Sequence, residues 1–138
     1  MIYRARNVTS RKRRGGAIVE TVAGLFVFIP VVLFIVDVVA MVLAQMAHDA
    51  LAKDAARAAA DTTDVGQATS AMNTVRGNFN SPVMVVNSMT LDAANWPNSV
   101  RVESISTFTF PVSIPFLGVA SQRFVAEAVE PVVGVVPQ

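Results

Sequence analysis

Cysteine is absent from the chain, which excludes disulfide staples and thiolate zinc sites. A single histidine, His48, leaves no histidine cluster for a metal. Charge is scarce as well. Only 15% of the residues are charged and 53% are hydrophobic, with a mean hydropathy of +0.51, where a soluble domain carries about 25% charged residues. Part of this chain is therefore not built for water. Acids are missing altogether before Glu20, whereas six of the eleven cations (Arg4, Arg6, Arg11, Lys12, Arg13, Arg14) fall in the first fourteen residues. From Gly16 onward five cations face ten acids. A basic head on an acidic body points to two compartments or two steps of processing. No glycine-rich phosphate loop is present.

What is abundant is hydrocarbon. From Thr21 to Ala44 the only ionisable residue is Asp37. Twenty-four such residues, coiled as a helix, are enough to cross a hydrocarbon core of roughly 30 Å. Backbone in lipid has to satisfy its own hydrogen bonds, which predicts a helix here. Pro30 removes one N–H and bends it, a defect that lipid-embedded helices tolerate. The cations Arg11, Lys12, Arg13 and Arg14 all precede the run. By the positive-inside rule they act as topogenic residues that keep the N-terminus in the cytoplasm and send the body across the membrane. Their place directly before an apolar run argues for that role over nucleic-acid binding. A cleaved secretory signal is a competing reading, with a small-x-small site in "ALAKD" (Ala50 to Asp54), but its apolar core would be only about 7–15 residues long.

Neither a plain anchor nor a secretory signal accounts for Glu20, which opens the apolar run just after "RRGG". The stretch "RRGGAIVE" followed by a long apolar helix resembles the processing site of type IV pilin-like proteins, and more closely that of the TadE-like pseudopilins of the tight-adherence (Flp) pilus. The likeness covers roughly residues 11–60. It implies a prepilin peptidase that cuts at Gly15 or Gly16: a cut after Gly15 leaves Glu20 as the fifth residue of the mature chain, as the pattern has it, and a cut after Gly16 leaves it fourth. It also implies that Glu20 serves subunit assembly by pairing with the freed amine. Asp37 would be a candidate intramembrane polar contact. The implied partners are the peptidase, other pilin or pseudopilin subunits, the pilus assembly platform and membrane lipid, with no nucleic acid. The implied place is the bacterial inner membrane in a single pass, N-terminus in the cytoplasm and C-terminal head outside, or incorporated in a surface pilus that serves adhesion. Thr21 departs from the pattern, where relatives commonly carry an aromatic, and Pro30 lies further from the glutamate than usual. The competing function is an unprocessed single-span membrane protein with a small extracytoplasmic partner-binding domain.

The residues after the run are alanine-rich, and alanine is the strongest helix former. Ala47, Leu51, Ala55 and Ala58 fit one face, with Lys53, Asp54, Arg57 and Asp61 elsewhere and a weak Asp54–Arg57 pair. Val65, Ala68, Met72, Val75 and Phe79 recur at helical spacing and predict a second, short helix. Three strand patterns follow, in "VMVVNSMTL", in "SVRVESISTFTF" and in "SQRFVAEAVEPVVGVV". "PVSIPFLG", with two prolines, does not fit a central strand. Trp96 reads as a core residue. The expected fold class is α+β: a basic leader (residues 1–15), a transmembrane helix continuing as a stalk (16–62), and a small head (63–138) with a short helix and about three antiparallel strands. His48 lies beside Asp49, but neighbours on a helix point about 100° apart, and no nucleophile or pocket accompanies them. His48 therefore reads as a solvated interfacial residue. The chain is expected to be no enzyme and to use no cofactor.

Overall fold

The structure, a computed structural model, describes residues 10–112 and 120–134, with side chains from Gly16 onward. Its elements follow in the order α1 (Ser10–Ala60), α2 (Val65–Asn78), β1 (Met84–Asp92), β2 (Ser99–Thr109) and β3 (Ser121–Pro131). The strands form one antiparallel meander in the order β1-β2-β3. The expected α+β plan of a long apolar helix and a small three-stranded head is present. "PVSIPFLG" lies largely outside the described residues.

α1 begins at Ser10, so the basic stretch is part of the helix. Arginine and lysine are good helix formers, and Gly15–Gly16 costs only about 1 kcal/mol per glycine relative to alanine. Pro30 sits within α1 without ending it. From Gly16 to Val36 nearly every side chain is exposed. That bare stretch of 21 residues is about 31 Å long at 1.5 Å per residue, and α1 is long and apolar enough to cross a membrane.

From Asp37 onward the head covers one face of the helix. The buried positions are Ala44, His48, Leu51, Ala52, Ala55, Ala56, Ala59 and Ala60. This face is rotated from the one the alanine pattern suggests, for Ala47 is exposed and Ala58 is only half-buried. The sheet selects the face, and it selects the one that carries His48. Residues 44–60 are consequently the spine of the head and not a free stalk. A run of alanines on that face lets the sheet approach closely at no side-chain entropy cost.

The inward face of the sheet is formed by Val100, Val102, Ser104, Ser106 and Phe108 of β2, with Ala126 and Ala128 of β3. On β1 the parity changes midway. Met84 and Val86 turn inward, then Met89 and Leu91, because the register jumps between Val86 and Ser88 and leaves Asn87 as a bulge. A bulge is the one device that moves a strand's inward set from even to odd positions without a turn. Arg76 of α2 reaches over it, donating to the carbonyls of Val86 at 3.4 Å and Asn87 at 3.2 Å.

Three apolar clusters stack along the helix. Ala44, Met84 and Phe108 form the one nearest the bare segment, with Phe110 edge-on and Phe124 stacked against Phe108. Leu51, Ala52, Ala55 and Ala56 meet Met72, Met89, Val102, Ala126 and Ala128 in the middle. Ala59, Ala60, Ala68 and Val100 close the far end, where Trp96 packs as expected. α2 starts on Asp64, whose Oδ1 accepts the Gln67 N–H at 2.9 Å as an N-cap. The free carbonyl of Ala60 accepts the amides of Val133 and Gly134, so the chain's tail caps α1. Arg57 pairs with Glu130 at 3.4 Å and not with Asp54, since β3 brings the acid over the same face.

Candidate functional site

The residues singled out in the sequence fall in two places along α1. Gly16 and Glu20 lie near the start of the bare segment. A Cβ on Gly16 would meet nothing within 4 Å. Glu20 is exposed, flanked by exposed Ile18, Val19 and Val22, and among the described residues no side-chain hydrogen bond or ion pair involves it. Gly16 and Glu20 are four residues apart, hence on the same side of the helix about 6 Å apart along its axis. The side chains of Arg11, Lys12, Arg13 and Arg14 lie outside the described residues, as does the geometry of Gly15 beyond its place in α1.

Asp37 sits at the other end. It is 3% exposed, and its Oδ1 accepts the backbone N–H of Val112 at 3.2 Å. The polar contact of this acid is thus with the head's own loop after β2. Glu20 and Asp37 stand about 25 Å apart along the axis and share no partner.

His48 contradicts the solvated reading. It is completely buried, as are Ser104 and Ser106. Its Nε2 and Ser104 Oγ share a hydrogen bond of 2.9 Å, whose direction follows the tautomer, while His48 Nδ1 and Ser106 Oγ have no partner. Burial pushes the imidazole below its ordinary pKa of 6.5, with Asp49 pulling the other way. Hydrophobic alternation along β2 does not by itself single out the two serines. The signal was there: positions 104 and 106 continue the inward parity of Val100 and Val102 and carry hydroxyls, which need a polar partner when buried.

A histidine–serine hydrogen bond is also the geometry of a base and its nucleophile. Here it opens on no substrate. Both side chains are sealed, and no acid orients Nδ1. The groove between α1 and α2, about 490 Å³, is lined by Ala47, Ala50, Leu51, Val75, Asn78 and Phe79 with Asp54 as its single titratable group. It offers no converging acid and base. Among the described residues no group of three or more histidines and carboxylates is placed to hold a metal. The "ALAKD" site lies within α1, with Leu51 and Ala52 buried under the head. No protein-family model, curated protein or solved structure matches the chain.

Proposed function

We propose that this chain is a minor pilin or pseudopilin that takes part in assembling a tight-adherence filament of the type IV pilin-like class. The observation that carries the reading is Glu20: an acid at the start of a bare apolar helix, five residues after Gly15, with no partner in its own chain among the described residues. An acid in that setting is costly unless it finds a counter-charge. A cut between Gly15 and Gly16 supplies one, the new α-amino group. Within one chain the amine stands a single turn from Glu20. In a packed array the amine of one copy meets Glu20 of its neighbour and fixes the register between subunits. The basic residues Arg11 to Arg14 hold the cut site at the cytoplasmic face, glycine lets the peptidase cleft close on bare backbone, and the head stands outside the inner membrane.

One observation favours the second reading, an unprocessed single-span protein with a partner-binding head. α1 runs unbroken from Ser10 through Gly16, and a helical segment must unwind before a protease cleft can take it. N-terminal sequencing of the membrane-bound protein separates the two. A start at Gly16 supports the pilin-like reading, and an intact Met1 supports the plain anchor. Glu20→Ala and Glu20→Gln then test assembly: both variants are expected to be cut and inserted normally but to lose co-purification with other pilin subunits. Normal assembly of both would overturn the role given to Glu20.

A further inference from the structure

The two edges of the sheet are not alike. The β1 edge is broken by the bulge at Asn87 and capped there by Arg76. The β2–β3 ladder has no irregularity over its eleven pairs, and among the described residues β3 packs chiefly on β2 and α1. Phe110 N–H donates to Ala120 O and Val132 N–H to Asn98 O, one at each end of this ladder. Both are even-numbered pairs in its register, so the even residues of β3 bond to β2. The odd residues, Ser121, Arg123, Val125, Glu127 and Val129, turn their main-chain N–H and C=O groups to the open edge. Their side chains line the outer face, where Val125 and Val129 are 54% and 53% exposed.

The charges on that face are unevenly placed. Glu127 stands directly across from Glu103, and its one cation is Arg101 at 3.2 Å. Arg123 stands across from Thr107 and has no acid partner among the described residues. We infer that the open β3 edge pairs antiparallel with β3 of a second copy about a two-fold axis through Val125, joining two three-stranded sheets into one of six. In that register Val125 meets Val125, and each Arg123 lies opposite the Glu127 of the other copy. Centring the axis on Arg123 or on Glu127 would set like charges face to face, which disfavours both. On the inner side Phe124 comes opposite Ala126 and Gln122 opposite Ala128, with no charge brought together. Pro131, which lacks the N–H, falls outside the paired stretch.

The axis also fixes which copies meet. β3 runs in the same direction as α1, since Phe124 packs beside Ala44, Ala126 beside Leu51, and the following Val132 beside Ala60. Antiparallel strands therefore send the two bare helix segments out at opposite ends. The pair joins copies carried on facing surfaces and not neighbours in one bilayer. It requires neither the cut at Gly15 nor Glu20.

The chain has no native cysteine, so one introduced thiol reports one position. Val125→Cys in the full chain, in detergent micelles, is expected to give a covalent dimer with a short two-armed thiol reagent, because paired Cα atoms lie about 5.5 Å apart at a hydrogen-bonded site and the Cβ atoms are wider apart than a relaxed disulfide takes. Mixing Ser121→Cys with Val129→Cys chains should give the mixed dimer, which parallel strands would not. Val85→Cys, on the outer face of β1, should not cross-link. On the Val125→Cys background, Arg123→Glu and Glu127→Arg should each lower the dimer roughly ten-fold, as two attractive pairs become repulsive, and the double exchange should restore it. No Val125 cross-link, a cross-link from Ile29→Cys on the bare helix in its place, or a double exchange as poor as the single ones would overturn the inference.

Discussion

Lowering the pH should loosen the head from its helix through one residue, His48. The imidazole is completely buried and bonded only to Ser104. Burial holds its pKa below 6.5. The one titratable side chain on the inward face of β1, β2 or β3 is Glu130, which pairs with Arg57 at the far end of the sheet, and Asp49 of α1 itself is exposed. The sign follows. Above pH 6.5 the imidazole is neutral both folded and unfolded, and its contribution is independent of pH. Below 6.5 the unfolded chain takes up a proton that the folded chain resists, so unfolding gains free energy as the pH falls. The slope approaches at most about 1.4 kcal/mol per pH unit and ends once the folded histidine is itself protonated. Trp96, the single tryptophan, packs in the far cluster of the head and reports unfolding by fluorescence. Denaturant titrations of the full chain in micelles between pH 8 and 5 should show stability falling on the acid side of 6.5. In His48→Leu that step should be missing. The variant should be less stable at pH 8, by about 1–3 kcal/mol for the stranded Ser104 hydroxyl, and should draw level with or pass the native chain in acid. Parallel curves for the two proteins across pH 8 to 5 would refute the reasoning.

Phe108→Ala should cost about 3–5 kcal/mol in the same titration, because the ring is fully buried between Phe110 and Phe124. Gly134→Val should detach the tail: a Cβ there would lie 2.7 Å from the Asp61 carbonyl oxygen, and neither backbone can yield. Losing the two amide bonds to Ala60 should cost about 1–3 kcal/mol and speed hydrogen exchange at residues 132–134, and unchanged exchange there would contradict the capping role. Arg76→Ala should speed exchange around Val86 and Asn87 while leaving the β2–β3 ladder protected, with a loss of about 1 kcal/mol.

The elements of this fold could be read from local pattern, but their mutual placement could not. The 3.6-residue spacing of Val65, Ala68, Met72 and Val75 and the alternation of Val100, Val102 and Phe108 carry their own periods. Asn87 shows why register was harder. The bulge is one residue in a run that alternates well enough on both sides, and only the pairing with β2 shows where the parity changes. His48 shows the same limit for the helix. Alanines occur all round the segment 47–60, so composition could not choose among its faces. The choice was made on the sheet, where Ser104, more than fifty residues away, offers the imidazole its hydrogen bond. Gly15, Gly16 and Glu20 can be singled out from their order along the chain alone. Asp37 was visible as an acid in a hydrocarbon run, but its partner is an amide of residue 112 that no local pattern could supply.

Asp37 decides how the head stands on the bare helix. Before it, both faces of α1 are uncovered. After it, Ala40, Met41 and Ala44 pack beneath Phe108 while Val39, Val42, Leu43 and Met46 on the opposite side stay exposed. An acid can lie next to hydrocarbon only when a donor meets it, and the Val112 amide is that donor. The head therefore begins where the fully bare helix ends, with no free linker between them. The bare length below Asp37, about 31 Å, already matches the thickness of a hydrocarbon core. A bilayer that held Gly16 to Val36 would bring the loop after β2 down to its surface. The same bond that shields the carboxylate would then fix the height and the rotation of the head above the lipid. A head held in this way turns and tilts with its helix, since no swivelling stalk separates the two.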